Sequence, residues 1–274
     1  MDTHDDASRF GGIARLYGAD ALHRLMTAHV AVVGLGGVGS WAAEALVRSG
    51  VGKMTLVDLD DICVTNVNRQ LHATQETLGQ LKVGAMADRL REISPNCTVH
   101  ACANFFTASS ADEILAPRFD FVVDAIDALN NKCLLIAKCL SGKIPIVVSG
   151  SAGGRREPTA IRVADLAATS HDPLLAQVRA QLKRQNKDVY NTSHSGIPTV
   201  YTTELPVFPG MDGTICSRRP SRAEAGEMRM NCDSGMGSAS FVTGAFGLVA
   251  ASVVVKSIAL PPANSLPRRA HSPA

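Results

Sequence analysis

His29-Val-Ala-Val-Val-Gly34-Leu-Gly36-Gly37-Val-Gly39-Ser40 reads as a strand that turns into a helix through a glycine loop. The apolar, β-branched run His29–Val33 suits a buried strand. Gly34, Gly36 and Gly39 then spell G-x-G-x-x-G, and from Ser40 to Ser49 apolar residues recur every three and four positions. Without Cβ atoms the backbone can turn tightly and approach an anion, whose oxygens then face N–H groups at the start of the helix. The competing reading is a glycine-rich turn with no ligand. A strand before and a helix after weigh against it.

The same alternation continues outward. Lys53–Asp58 is predicted as a second strand, Gly79–Ser94 as a helix stopped by Pro95, and Thr98–Ala103 as a third strand. Phe119–Asp124 is a fourth, Asn130–Leu140 a helix and Ile144–Ser149 a fifth strand. Strands alternating with crossover helices predict an α/β, doubly wound, Rossmann-like fold with a mostly parallel sheet.

Beyond about residue 150 the texture changes, and a smaller irregular C-terminal extension is expected. It holds a strand over Thr159–Val163, a helix from Asp172-Pro173 to Arg184, a mobile polar loop over Gln185–Pro198 and a strand over Thr199–Val207. A Gly- and Arg-rich stretch follows to Ser234, and the Pro- and Ser-rich tail 261–274 is predicted to be disordered. Ser234–Val255 is 22 residues without a charge. At about 1.5 Å per residue it is long enough to span a bilayer. Gly235, Gly237, Gly244 and Gly247 dilute the run and Lys256 closes it, which favours a helix buried on the sheet or in a subunit interface.

The chain has 274 residues, 46% hydrophobic and 19% charged, enough for one large α/β domain or two small ones and unlike a disordered chain. Aromatics at 4% argue against a protein that reads single strands by serial base stacking. The net charge is +2, yet residues 1–150 carry 13 basic and 16 acidic side chains while residues 151–274 carry 14 and 9. A polyanion held by the second half is compatible with that split. Seven cysteines without a C-x-x-C pair fit neither a disulfide scaffold nor a four-cysteine zinc site, so no zinc is expected. The start, Met1-Asp-Thr-His-Asp-Asp6, has no apolar core of a secretory signal. The expected location is cytoplasmic, with membrane association through 234–255 as the alternative.

Asp58 ends the second strand, where a carboxylate can accept from ribose hydroxyls. Up to this point NAD and ATP are served equally. The next thirty residues separate them. Asp58-Leu-Asp60-Asp61 leads to Asn66-Val-Asn68-Arg69-Gln70, and Lys82 opens the following helix. A nicotinamide enzyme has no clear need of an arginine and a lysine there. The β- and γ-phosphates of a nucleoside triphosphate need cations, and Arg69 offers a planar fork and Lys82 a point charge. The Asn66 amide can hold an α-phosphate or a ribose. Asp124-Ala-Ile-Asp127 sets carboxylates at the C-terminal edge of the sheet, where one can bind Mg²⁺.

Together, Gly34-x-Gly36-Gly37-x-Gly39-Ser40, Asp58-x-Asp60, Asn66-x-Asn68-Arg69-Gln70, Lys82 and Asp127 resemble the ubiquitin-activating-enzyme-like (HesA/MoeB/ThiF) adenylating family. The resemblance implies ATP and Mg²⁺ as cofactors, activation of a carboxylate as its acyl-adenylate with release of pyrophosphate, and a homodimer. It implies that Gly34, Gly36, Gly37, Gly39, Asp58, Asp60, Asn66, Arg69 and Lys82 bind the nucleotide. It makes Arg69, Lys82 and Asp127 the catalytic set, Asp127 the metal ligand and Asp124 an auxiliary. Residues 1–150 are then an ATP-binding adenylation core. Residues 151–260 complete the sheet and carry a substrate loop and a dimer helix.

Arg9-Phe-Gly-Gly-Ile-Ala-Arg15, Trp41-Ala-Ala-Glu44, Ser151-Ala-Gly-Gly154, Asp172-Pro-Leu and Asn231-Cys-Asp-Ser-Gly-Met-Gly237 are similar to the branch of that family that acts on a modified nucleoside. This implies ATP-dependent dehydration, by cyclisation, of threonylcarbamoyladenosine next to the anticodon, with tRNA carrying that nucleoside as partner. The alternative is an activator of a ubiquitin-like or sulfur-carrier protein, which adds a sulfur-transfer protein pair to the partners and gives Cys216 or Cys232 a thiol role. Paired zinc cysteines are absent and Gln185–Pro198 holds no cysteine, which weakens the protein-activating reading. The family's N-terminal helix usually lends an arginine to the neighbouring subunit's ATP. Gly12 stands at that place, with Arg9 and Arg15 nearby. Arg155, Arg156, Lys183, Arg184, Lys187, Arg218, Arg219 and Arg222 are the basic candidates for tRNA contact.

Overall fold

The structure is a computed structural model that describes residues 8–188, 190–210, 214–217 and 236–260. Helices α1 (Gly11–Tyr17) and α2 (Ala19–Thr27) lead into β1 (His29–Val33), α3 (Gly39–Arg48) and β2 (Lys53–Val57). Then come α4 (Lys82–Ile93), β3 (Thr98–Cys102), the short α5 (Ala111–Ile114), β4 (Phe121–Asp124), α6 (Leu129–Ser141) and β5 (Ile146–Ser149). The second half supplies β6 (Ile161–Asp165), α7 (Pro173–Gln185), β7 (Pro198–Thr202), a hairpin of β8 (Phe208–Pro209) and β9 (Ile215–Cys216), and α8 (Ser240–Ala259).

Seven strands form one sheet in the order β3-β2-β1-β4-β5-β7-β6, parallel throughout except for the edge pair β6–β7. The order reverses between β1 and β4. Such a switch point leaves a crevice outside the carboxyl ends of the two strands, the place where ligands bind in open α/β sheets. Val30 and Val32 face one apolar layer with α3, α4 and α8, while Ala31 and Val33 face another with α6 and α7. Burial on both faces is why these strands are apolar throughout rather than alternating.

The uncharged run near the C-terminus becomes α8, which starts at Ser240 and passes beyond Lys256 to Ala259. By length and composition it could cross a membrane, but here Val242, Phe246, Ala250, Val254 and Ala259 are buried in the core. Gly247 permits the approach: a Cβ there would lie 2.4 Å from the Val38 carbonyl oxygen. Arg24 of α2 gives its Nε to the Ile258 carbonyl at 3.1 Å, satisfying an end of the helix that would otherwise lack donors.

Two boundaries differ from the periodicity reading for reasons that tertiary contacts supply. The α4 helix begins at Lys82 rather than Gly79, because Gly79–Leu81 is drawn into backbone pairing with Asp61 and Ile62. The strand expected over Thr199–Val207 ends at Thr202, after which Glu204 turns to accept from the N–H groups of Arg156 and Glu157, both at 2.9 Å. The polar loop after Gln185 is irregular, and Asp165 ties its end by accepting from Ser195 N–H and Gly196 N–H at 3.0 and 2.7 Å. The tail 261–274 lies outside the described residues.

Candidate active site

The crevice opens into a cavity of about 880 Å³ lined by Gly34, Gly36, Gly37, Asp58, Asp60, Asn66, Arg69, Lys82 and Asp127. Its first wall is the glycine loop. Gly34 has φ +90°, in the left-handed region, and a Cβ on Gly39 would lie 1.8 Å from the Gly34 carbonyl oxygen. Gly39 therefore does not line the cavity. It closes the loop upon itself so that α3 can start there.

Asp58 braces that loop. Its Oδ2 accepts from Leu35 N–H at 2.7 Å and its Oδ1 from Asp60 N–H at 2.9 Å, and the residue is buried. A carboxylate has about four lone-pair sites, so further acceptance from a ribose remains open. Lys82 pairs with Asp60 at 2.8 Å, the lysine side chain 7% exposed and the aspartate 53%. The ammonium is thus held in place by a carboxylate that water still reaches.

The segment Asn66–Gln70 forms a second wall and is held by bonds from α3 and α8. Trp41 Nε1 and Thr243 Oγ1 donate to the Arg69 carbonyl at 3.1 and 3.3 Å, and Asn68 Nδ2 donates to the Ser238 carbonyl at 2.8 Å. Arg69 Nη1 donates to the Thr65 carbonyl and to Asn68 Oδ1, which leaves its other donors for a ligand. Asn66 Oδ1 accepts from Cys63 N–H at 3.0 Å, so only its amide nitrogen is free to act in the cavity. Behind the segment, His72 is buried with neither ring nitrogen paired. Burial, together with the charges of Lys82 and Arg89, lowers its pKa to about 4. It is neutral at ordinary pH and adds no third cation beside Lys82.

Asp127 is exposed on the cavity wall and takes no hydrogen bond or ion pair among the described residues. Asp124, three residues earlier, is in a different situation. It is wholly buried and pairs with the equally buried Lys132 at 3.0 Å. Lys132 Nζ also donates to the Ile126 carbonyl at 2.7 Å, while Asp124 Oδ1 accepts from Ile126 N–H at 3.0 Å. The pair fixes the turn that carries Asp127. Desolvation pushes the Asp124 pKa up, and the Lys132 charge and hydrogen bonds oppose it.

Several lining groups lie outside the nucleotide-binding motifs. Asn104 and Phe105 arrive after β3, Asn131 in the first turn of α6, and Ser149–Gly153 at and just beyond the end of β5. Asp172 holds the last of these by accepting from Ser151 N–H at 2.8 Å while capping α7 through Leu175 N–H at 3.0 Å. The Asp-Pro cap was legible, but its grip on a loop 21 residues away was not. Arg9 and Arg15 are exposed and do not line this cavity. Of the basic candidates for tRNA, Arg155 is 2% exposed, so its guanidinium does not stand on the open surface. Cys232, Arg218, Arg219 and Arg222 lie outside the described residues, and Cys216 Sγ contacts the Phe208 carbonyl at 3.6 Å.

The chain belongs to the ThiF family, whose pattern matches residues 11–272. It is 47% identical over 251 residues to the tRNA threonylcarbamoyladenosine dehydratase of Escherichia coli K12, covering 91% of this chain and 93% of that one. The solved structure of TcdA (CsdL) matches with a TM-score of 0.85 at 44% identity, covering 94% of this chain and 96% of the other. The E. coli tRNA N6-threonylcarbamoyladenosine dehydratase in complex with ATP matches with a TM-score of 0.82 at 42% identity, with the same coverage.

Proposed function

We propose that this chain uses ATP to dehydrate threonylcarbamoyladenosine in tRNA, next to the anticodon, by adenylating the free threonyl carboxylate. The observation that carries the reading is one cavity lined by the glycine loop, Asp58, Arg69, Lys82 and Asp127, in a chain 47% identical to a dehydratase of that name. A carboxylate is a poor electrophile because oxide would have to leave. Attack of a carboxylate oxygen on the α-phosphorus expels pyrophosphate and gives a mixed anhydride. The substrate's own carbamoyl group then closes onto the activated carbon and expels AMP. The nucleophile is already tethered, so the protein's work is positioning and stabilising phosphate charge.

In this reading Asp58 accepts from the ribose, Asn66 donates to the ribose or α-phosphate, and Arg69 and Lys82 hold the β- and γ-phosphates. Among the described residues no cluster of three or more metal-ligating side chains occurs. Mg²⁺ bound through one or two carboxylates plus substrate phosphates needs no such cluster, and the unengaged Asp127 fits that role. Bound there, Mg²⁺ would neutralise charge gathering on the leaving pyrophosphate. Asp124, paired with Lys132, supports the turn instead of reaching the nucleotide.

The purified chain with Mg·ATP is expected to remove one water from the modified nucleoside in tRNA, read by mass spectrometry, and to form AMP in equal amount. Tight ATP binding with the nucleoside unchanged would sink the substrate assignment. A pyrophosphate exchange that requires a Gly-Gly-ended protein would replace it with the carrier-activating alternative.

The reading extends to a homodimer through α8. Phe241 and Leu248 stand seven residues apart on that helix, 59% and 52% exposed, an apolar stripe without cover in one copy. An arginine lent from Arg9 or Arg15 to a neighbouring copy fits their absence from their own chain's cavity. Joint replacement of Phe241 and Leu248 by Asp should convert a dimer to a monomer in sedimentation. A wild-type chain that already sediments as a monomer would end this part of the reading.

A further inference from the structure

We propose that a second cavity, beside the first, receives the adenine base of the modified nucleoside; this rests on the dehydratase reading above. The cavity measures about 370 Å³ and is lined by Arg155, Arg156, Val207, Phe208, Ile215 and Ser238, among others. Ser238 also lines the nucleotide cavity. The partition between the two is thin: Gly153 and Met236 face one side, Gly154 and Gly237 the other, and Gly154 N–H donates to the Gly237 carbonyl at 2.7 Å. Gly154 has φ +70° and a Cβ there would lie 2.6 Å from the Val207 carbonyl oxygen, so the partition admits only glycine.

The substrate's dimensions suit two adjoining chambers. In threonylcarbamoyladenosine four bonds separate N6 of the base from the carboxylate carbon, a reach of about 5 Å at ordinary bond lengths. A carboxylate delivered to the α-phosphate therefore leaves its base in the immediate neighbourhood of the nucleotide. The second chamber, which shares Ser238 with the first, is the space assigned to that base.

Its chemistry suits a nucleoside flanked by phosphates. Phe208 gives one aromatic face, with Val207 beside it, and a base stacked on an aromatic ring is the usual mode of single-strand recognition. A composition poor in aromatics excludes serial stacking but not a single platform. Ile215, also on the lining, is 59% exposed and adds apolar surface within reach of a ligand. Arg156, with its side chain 63% exposed, stands 3.8 Å from Glu204, whose oxygens are already taken by backbone N–H groups. Its guanidinium, though paired with Glu204, is exposed and can also meet a backbone phosphate. Arg155 is 2% exposed, donates Nη2 to the His171 carbonyl at 3.1 Å, and keeps Nε and Nη1 without a partner. Buried donors of that kind are rare unless a ligand or water meets them.

Kinetics of the full chain on tRNA carrying threonylcarbamoyladenosine test this, with ATP affinity measured separately by calorimetry in the absence of tRNA. Phe208→Leu keeps the apolar packing of the hairpin and removes the ring face. It and Ile215→Ser should each raise KM for the tRNA on the order of tenfold while ATP affinity holds. Arg156→Ala should flatten the salt dependence by about one phosphate. The free nucleoside should compete with tRNA in the wild type and fail to do so in Phe208→Leu. A tRNA KM within about twofold of wild type in both cavity variants overturns the subsite and leaves the dehydratase reading standing. An Ile215→Ser chain that loses its dimer also overturns it, in favour of a subunit contact. A wild type that binds ATP yet leaves the tRNA unchanged overturns the reading and the subsite together.

Discussion

Turnover of modified tRNA should fall by about 10²–10³-fold in Lys82→Ala and in Asp127→Ala, with folding intact by circular dichroism; the first loses a phosphate contact and the second the carboxylate proposed to hold Mg²⁺, each worth roughly 2–4 kcal/mol in the transition state. The two should differ in how they fail. Lys82 is buried and paired with the exposed Asp60, so its removal also leaves an uncompensated carboxylate beside the triphosphate. KM for ATP should rise together with the fall in kcat. Lys82→Arg should not rescue it, because a planar fork does not fit the site of a compact ammonium that is 7% exposed. Asp127 makes no hydrogen bond or ion pair among the described residues, so Asp127→Ala should cost turnover without loss of thermal stability. Asp127→Asn should sharpen the distinction by keeping the shape and removing the charge. Near-normal rates in either alanine variant would show that the triphosphate does not lie between these groups.

Those residues were legible in the sequence because each is chemically conspicuous and close to a predicted strand end. The glycine loop, Asp58 and Asp127 follow β1, β2 and β4 directly, and the parallel order brings the three carboxyl ends together. What the sequence hides is support that comes from far along the chain. Asp172 fastens Ser151, Thr243 fastens Arg69, and Ser238 fastens Asn68, across separations that no local period records. The start of α4 was misplaced for the same reason, since Gly79–Leu81 pairs with Asp61 and Ile62 instead of joining the helix. Exposure was equally hidden. Arg155 and Arg156 are neighbours of one chemical type, yet one is buried and the other is a surface cation.

Lys132 is the strongest instance, because a lysine on a predicted helix reads as a surface charge. Lys132→Met should destabilise the fold by about 3–5 kcal/mol, the usual cost of leaving one member of a buried ion pair alone. That corresponds to a drop in Tm of roughly 6–20 °C for a chain of this size, read by differential scanning calorimetry. Both side chains are 0% exposed and Asp124 Oδ2 already lacks a partner, so solvent cannot take over the lost charge. Methionine has nearly the same length and shape, so the loss is electrostatic and not a cavity. The double variant Lys132→Met with Asp124→Asn removes both charges and should regain much of the stability. It should not regain activity, because the Lys132 bond to the Ile126 carbonyl, which holds the turn bearing Asp127, is still missing. A Tm within about 2 °C of wild type in Lys132→Met would mean that the pair is already neutral through a shared proton. Recovery of both stability and rate in the double variant would mean that the turn holds its place without the lysine, and that Asp127 owes its position to the packing of Ala125 against Gly34 and Gly39.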